Sequence, residues 1–179
     1  DVYKRQVKDY PIQSMNVVAH IRKATQGDIC LQNTHPFQRE LWGRYWVFAH
    51  NGNLIDFNPE LSGRYLPVGN TDSERAFCFL LDTLALRFGA AAPSYEHLMD
   101  TMAEVAAVLR AHGPANFLLS NGRWLIAHCS TDLHYIVRRA PFNQAHLKDE
   151  DVSIDFNEVT SDTDCVTVIA TTPLTDNEA

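Results

Sequence analysis

The sequence predicts an α+β fold in which antiparallel sheets pack in layers with helices. Three observations support this fold class. Strand-like segments come first, two helical segments occupy the middle and further strands follow, so strands and helices do not alternate strictly. An Asn-Gly pair at 121–122 separates two apolar runs, which is a strong signal of an antiparallel hairpin. No repeat or low-complexity linker interrupts the 179 residues, so we expect one domain.

The first strand is predicted at 17–21 and the second at 45–50. Residues 17–21 (Val-Val-Ala-His-Ile) are short and β-branched, as in a buried strand. Residues 45–50 (Tyr-Trp-Val-Phe-Ala-His) are aromatic and apolar, and Asn51-Gly52-Asn53 after them is a strong turn signal. We therefore expect the polar residues that follow both strands to lie at strand ends, where functional groups are often presented.

Two helices are predicted in the middle of the chain. The first runs from about Asp72 to Phe88, because Thr71 and Glu74 have the spacing of a capping box. Its apolar residues follow a roughly 3.6-residue period, and they are Phe77, Leu80, Leu81 and Leu84. The second helix begins after the Pro-Ser pair at 93–94 and stops at Gly-Pro. One face of it is apolar, with Leu98, Met102, Val105 and Leu109. We expect these faces to pack together.

The strands of the C-terminal half are predicted as a meander. Residues 116–120 and 123–128 flank the Asn-Gly pair at 121–122, which supplies the two positive-φ positions of a type I′ turn. Residues 133–138 continue the meander, and residues 166–171 form one more strand. Such a succession of short strands pairs antiparallel neighbours.

Composition and charge exclude several classes of protein. The formal net charge is −7, the pI is about 5.5 and no cluster of Lys and Arg occurs, whereas nucleic acids and anionic membranes are bound by basic patches. The longest apolar run, 76–81, is far shorter than the roughly 20 residues that cross a bilayer, and no signal-peptide pattern is present. We therefore expect a soluble, cytoplasmic protein whose partner is neither a nucleic acid nor a membrane. Its oligomeric state has no signature in the sequence.

The cysteines and the chain ends carry further expectations. The cysteines, at 30, 78, 129 and 165, form no C-x-x-C pair, so neither a zinc knuckle nor a redox dithiol is indicated, and we expect buried free thiols. Residues 1–6 (Asp-Val-Tyr-Lys-Arg-Gln) differ from the pattern that begins near Val7. We interpret them as a non-native scar that precedes a partial domain over 7–179.

Two charged residues have both a functional and a structural interpretation. Arg22 follows a strand that is predicted to be buried, and its planar guanidinium matches a carboxylate. It binds a substrate carboxylate, forms a structural ion pair or stands at an exposed strand end. Asp72 opens the first predicted helix, where the helix dipole favours an acid; alternatively it receives a substrate ammonium. Position in the sequence leaves these alternatives open for both residues.

Asn51 and Gly52 also have two interpretations. They form an ordinary Asn-Gly turn, or they form an oxyanion hole. In the second case the Asn51 amide and the Gly52 N–H donate to one developing negative charge, and the glycine permits a close approach.

The histidines at 20, 35 and 50 are regularly spaced, which invites a metal-site interpretation. However, no His-x-His or zinc-protease motif accompanies them, and single histidines on strands are usually structural. We therefore expect no metal site and no cofactor.

Four motifs occur in a characteristic order. They are His-Ile-Arg-Lys-Ala-Thr at 20–25, Asn-Thr-His-Pro-Phe at 33–37, His-Asn-Gly at 50–52 and Thr-Asp-Ser-Glu at 71–74. The series resembles the glutaminase domain of class-II glutamine amidotransferases, the family that includes glucosamine-6-phosphate synthase and amidophosphoribosyltransferase. Residues 130–134 and 139–142 extend the resemblance to the small stand-alone branch of the family. It implies the αββα sandwich of N-terminal-nucleophile hydrolases, incomplete at both ends of this chain.

The resemblance also implies residue roles. Arg22 would hold the α-carboxylate of glutamine, with Thr25 nearby, and Asp72 would receive the α-ammonium. His35 would belong to the wall of the pocket. The oxyanion hole would consist of Asn51 and Gly52.

The implied chemistry is hydrolysis of glutamine to glutamate and ammonia by an N-terminal cysteine whose own α-amine acts as the base. No residue of this sequence fills that position, so we expect the fragment itself to be inactive. Lys23 stands where larger synthases have Trp, which disfavours a gate coupled to an ammonia channel. A stand-alone amidohydrolase, or a subunit whose ammonia acceptor lies elsewhere, is favoured instead. Two alternatives stay open: hydrolysis of a γ-glutamyl conjugate, and a non-catalytic domain that binds glutamine or a γ-glutamyl compound.

Overall fold

The computed structural model describes residues 14–21, 28–148, 153–156 and 160–175. A short 3-10 turn, Leu31–Asn33, precedes the first strand. The two α-helices are α1 (Asp72–Phe88) and α2 (Tyr95–Arg110). The strands are β1 (Phe37–Leu41), β2 (Arg44–Gly52), β3 (Ala115–Ser120), β4 (Leu125–His128), β5 (His134–Arg139), β6 (Gln144–His146), β7 (Ser153–Asp155) and β8 (Cys165–Ala170).

The largest sheet is antiparallel and has the strand order β1-β2-β3-β4. Phe48 of β2 lies opposite Phe37 of β1 and Leu119 of β3, and all three are buried. Because strand side chains alternate between the two sides of a sheet, this row defines one face, which α1 and α2 cover. We call it the helix face. The other side, which carries Asn51 and Leu118, is called the open face.

Both helices begin where the sequence predicts. The hydroxyl of Thr71 caps α1 and that of Ser94 caps α2, each accepting a backbone N–H three residues later. The bounds of α1 agree with the prediction, whereas α2 ends at Arg110, before the predicted Gly-Pro stop. The capping-box prediction is half wrong, because the Glu74 carboxylate accepts from the N–H of Gly69 instead of that of Thr71.

The strands β3 and β4 form the predicted hairpin, but its turn is longer than a type I′ turn. Ser120 pairs with Leu125, so residues 121–124 form the loop. Gly122 has a positive φ of 80°, but Asn121 does not. Instead, the Asn121 side chain accepts the N–H groups of residues 123 and 124 at 3.1 and 3.0 Å and closes the loop.

The predicted meander is wrong beyond β4. β5 pairs with β8 in a separate antiparallel sheet, with Tyr135 opposite Ile169, and β6 pairs with β7. The cause lies in the chain between β4 and β5: the Asn116 side chain accepts the N–H groups of Ser130 and Thr131 at 2.8 and 3.0 Å. These bonds direct the chain away from β4. The strand predicted at 166–171 corresponds to β8.

Residues 17–21 do not form the predicted buried strand. Val17 is 67% exposed and Ile21 is 99% exposed, and the segment pairs with no strand of the described ranges. β-branched residues favour an extended backbone, but a strand forms only where a neighbour satisfies its N–H and C=O groups.

In the described residues, the helices therefore cover one face of the four-stranded sheet, and β8 lines a cleft together with the open face. This arrangement is the α+β fold with antiparallel sheets that the sequence predicts. In the part of the chain that the structure describes, neither helix combines the length and the apolar character needed to cross a bilayer.

Candidate functional site

The His-Asn-Gly motif forms the end of β2 and does not form a turn. Asn51 pairs with Asn116 and Gly52 pairs with Ala115, so the strand continues to Gly52. The turn interpretation of Asn51 and Gly52 is therefore wrong. Consecutive strand residues point to opposite faces, so His50 lies on the helix face and Asn51 on the open face.

Asn51 lines a cleft of about 410 Å³ against the open face. Leu118 and Asn116 of β3 lie beside it, and Ile169 of β8 and the segment 17–21 contribute to the walls. The Asn116 amide is buried and engaged with residues 130–131. By contrast, the Asn51 amide is exposed and forms no hydrogen bond within the described ranges, so its donors are available to a ligand.

Gly52 lies where the end of β2 closely approaches Pro114, the residue before β3. A Cβ at this position would be 1.8 Å from the carbonyl oxygen of Pro114 and 2.7 Å from Nε2 of His50. The N–H of Asn53 donates to the same Pro114 oxygen at 3.2 Å. Because successive N–H groups of a strand alternate in direction, the Gly52 N–H points away from β3. It faces the edge that β1 leaves open, since β1 begins opposite Phe48.

Asp72, the first residue of α1, lies beside the same strand end. Its Oδ2 accepts the N–H of Leu54 at 2.8 Å, and its Oδ1 lies 3.4 Å from the hydroxyl of Ser73. The Ser73 hydroxyl is in turn 2.9 Å from Nδ1 of His50. These contacts bind the start of α1 to the end of β2. We call residues 50–54 together with Asp72 and Ser73 the β2 corner.

His50 connects this corner to the hydrophobic core. It is 3% exposed, and its ring stacks with that of Phe48 at a centroid distance of 6.3 Å. Burial lowers the pKa of His50 below its ordinary value; the negative charge of Asp72 opposes this shift and His20 adds to it. The neutral imidazole is therefore the favoured form in the folded protein.

The other predicted site residues precede β1 in the sequence. His35 is buried, and its ring stacks on that of His20 at a centroid distance of 4.3 Å. His20 lines the cleft together with Asn51, so His35 lies directly behind the cleft wall. Arg22 and Thr25 fall within 22–27, which lies outside the described residues.

Comparison with known proteins identifies the family. Residues 2–179 match the model of a protein family that is described as class-II glutamine amidotransferases. The chain belongs to this family. The resemblance that the four motifs carry is thereby confirmed, and the mixed architecture with antiparallel sheets agrees with the predicted N-terminal-nucleophile type of fold.

Several relatives of this chain are known. YafJ of Escherichia coli (strain K12), assigned as a glutamine amidotransferase, is 53% identical over 172 residues, which are 96% of this chain and 68% of YafJ. A protein of Haemophilus influenzae with the same assignment is 51% identical, over 97% of this chain and 58% of its own. The MJ1515 protein of Methanocaldococcus jannaschii is 37% identical, over 93% of this chain and 47% of the MJ1515 protein.

A solved structure is similar as well. The 2.0 Å crystal structure of a predicted glutamine amidotransferase from Pseudomonas aeruginosa superimposes with a TM-score of 0.75 at 53% identity. The match covers 83% of this chain and 58% of that chain. The chain thus spans between 47% and 68% of the lengths of these four proteins.

The thiols of this chain occupy different environments. Cys78 is buried in α1, and burial raises its pKa to about 11, which makes it a poor nucleophile. Cys129 and Cys165 are exposed and Cys30 is half-buried, so the expectation of buried thiols is wrong for these three. Cys129 follows the last residue of β4 and Cys165 begins β8, and both strand ends are open to solvent. In the described ranges, no group of three or more His, Cys, Asp and Glu side chains is arranged to hold a metal ion.

Three buried polar residues near the β2 corner were not predicted as site residues. Asn33, Glu74 and Asn116 are each no more than 3% exposed. Asn33 and Glu74 stand in two of the four motifs, which was a signal that could have identified them. Asn116 has no local signal, because its partners at 130–131 come from a later turn.

Proposed function

We propose that the full-length protein hydrolyses the side-chain amide of glutamine to glutamate and ammonia, and that the β2 corner binds this substrate. Membership of the class-II amidotransferases supports the reaction class. The observation that carries the proposal is the composition of the corner. Asn51 and Gly52 offer N–H donors and Asp72 offers a carboxylate, all at one strand end.

The two donors are suited to the charge that develops during amide hydrolysis. Attack on the carboxamide carbon produces a tetrahedral intermediate with a negative oxygen. In the proposal, the Asn51 amide and the Gly52 N–H donate to that oxygen. Backbone pairing with β3 fixes both residues before the reaction, so little reorganisation accompanies the transition state.

The charged residues are suited to the amino-acid end of glutamine, which carries one ammonium and one carboxylate. Asp72 accepts one backbone N–H at 2.8 Å and retains further acceptor capacity for an ammonium group. Arg22 is proposed to bind the carboxylate as a bidentate partner, with Thr25 beside it. His35 is proposed to support this side of the pocket through its contact with His20.

The nucleophile is proposed to be an N-terminal cysteine of the full-length protein. Its sulfur forms a bond to the carboxamide carbon, the C–N bond breaks, and ammonia leaves with a proton that the α-amino group supplies. Water then cleaves the thioester, which yields glutamate and regenerates the thiol. The raised pKa of Cys78, about 11, supports a nucleophile other than that residue.

The test uses the full-length protein with a processed N-terminal cysteine. Replacing one oxyanion donor typically lowers kcat by about 10²- to 10³-fold, so Asn51→Ala is expected to lower glutamate release from glutamine by this factor. Asn143→Ala is the matched control, because Asn143 is an exposed asparagine outside the β2 corner. Equal activity of the two variants would remove Asn51 from the proposed oxyanion hole. Absence of glutamate release by the unmodified enzyme would reject the reaction itself.

A further inference from the structure

Glu74 is a buried carboxylate whose partners lie outside its own helix. Its side chain is 2% exposed and pairs with Arg39 of β1. It also accepts the N–H groups of Val68 at 3.1 Å and Gly69 at 2.7 Å. Charge-assisted hydrogen bonds are roughly twice as strong as neutral ones, so three such donors hold the carboxylate in one orientation. Glu74 thereby fixes the chain that leads into the N-cap Thr71.

Asn33 holds the same chain one residue further on, at Asn70. It is 1% exposed, and its Oδ1 accepts the N–H of Asn70 at 3.0 Å. Its Nδ2 donates to Oδ1 of Asn70 at 2.8 Å and to the carbonyl of Asp28 at 2.9 Å. Asp28 follows the motif at 20–25 in the sequence. Asn33 therefore joins the segment after that motif to the residue that precedes the cap of α1.

Gly69 is the point at which these two side chains meet. A Cβ on Gly69 would lie 2.2 Å from Oδ1 of Asn33 and 3.1 Å from Oε2 of Glu74. Only glycine fits between them without displacing one of the two. We call Asn33, Gly69 and Glu74 the α1 anchor.

We propose that the α1 anchor positions Asp72 for the ammonium group of the substrate, an inference that rests on the proposed function above. Asp72 lies in the chain between Gly69 and Glu74, and its carboxylate already accepts the N–H of Leu54. To bind an ammonium as well, the carboxylate must keep one position relative to β2. A displacement of about 1 Å can lower a reaction rate by roughly 10²-fold. The anchor residues act through Asp72 and are therefore positioning residues.

Two substitutions in the full-length enzyme disturb the anchor differently. Asn33→Asp keeps the acceptor for the Asn70 N–H but removes both donations from Nδ2. Gly69→Ala inserts a methyl group against Asn33 and changes no charge, so it provides a second variant if Asn33→Asp does not fold. Asn121→Asp is the matched control, because Asn121 is a buried asparagine at the opposite end of β3.

Each variant is assayed with L-glutamine and with glutaramate, which has the same amide and carboxylate but no α-amino group. If the anchor acts through Asp72, kcat/KM for glutamine falls by about 10- to 100-fold. The value for glutaramate stays close to that of the unmodified enzyme, since no ammonium is bound. In an Asp72→Asn background, the anchor substitutions have no further effect on glutamine.

Two outcomes would overturn the inference. Equal losses with both substrates at matched folded fraction indicate a general structural role. A loss that persists undiminished in the Asp72→Asn background shows that the anchor acts through other residues. An unmodified enzyme that releases no glutamate from glutamine rejects the proposed function first, and the inference with it, which is a distinct result.

Discussion

The substitution Asp72→Asn separates a substrate-binding role from a helix-terminal role. Asparagine has nearly the same shape, and its side-chain oxygen can still accept the Leu54 N–H that Asp72 accepts at 2.8 Å. The folded protein therefore loses only the negative charge at the start of α1. Such a charge contributes about 0.3 to 1 kcal/mol at a helix N terminus, so the free energy of unfolding is expected to fall by no more than about 1 kcal/mol.

The effect on catalysis is expected to be much larger. If Asp72 pairs with the substrate ammonium, the substitution leaves a buried cation without its partner, which costs about 2 to 5 kcal/mol. At about 1.4 kcal/mol per factor of ten, kcat/KM for glutamine falls by roughly 30-fold to several thousand-fold. The expected losses in stability and in transition-state binding therefore do not overlap.

The assay is glutamate release by the full-length enzyme, with urea unfolding of the same preparations. Glu96→Gln is the matched control, because Glu96 is an exposed acid in the first turn of α2 and lies outside the β2 corner. We expect Glu96→Gln to reproduce the small stability loss with unchanged kinetics. A value of kcat/KM for Asp72→Asn within about threefold of the unmodified enzyme, below 1 kcal/mol, would refute the reasoning and return Asp72 to a structural role.

Two further predictions concern stability. Gly52→Ala is expected to destabilise the protein by about 1 to 3 kcal/mol in urea unfolding, because its Cβ would overlap the Pro114 oxygen; a loss below about 0.5 kcal/mol, the size typical of a neutral surface substitution, would contradict this. Burial lowers the pKa of His50, so the unfolded chain takes up the proton first and stability falls as the pH drops below about 6.5. His50→Asn is therefore expected to flatten the dependence of the urea midpoint on pH between about 5 and 7, whereas His97→Asn, at an exposed position on α2, serves as the control.

Elements that depend on local pattern could be predicted from the sequence. The bounds of α1 follow from its cap and its apolar period. β1 was not predicted, because three of its five residues are Gln38, Arg39 and Glu40. Arg39 is accommodated there by the buried Glu74, a partner 35 residues away that no local pattern identifies. The same limit explains the error at 17–21, where suitable residues pair with no strand in the described part of the chain.

The residues of the candidate site could be predicted from the sequence, whereas the long-range contacts that hold them in place could not. The motifs supply Asn51, Gly52 and Asp72, which the structure brings to one strand end. The Asn-Gly pattern at 51–52 also suggested a turn. The strand continues there because it pairs with β3, and this long-range interaction has no local signal in the sequence. Likewise, Asn116 and its contacts depend on residues 14 and 15 positions later in the chain.

The alternation of His50 and Asn51 along β2 constrains how the length of this chain can change during evolution. Strand side chains have a period of two, so one inserted residue between Phe48 and His50 would turn Asn51 into the core and His50 towards the cleft. Insertions here would therefore cost both the buried histidine and the exposed amide at once. The surface loop at 58–61, between β2 and α1, has no such alternation to preserve. Length variation among homologues is expected to be concentrated in that loop and to be absent from the C-terminal end of β2.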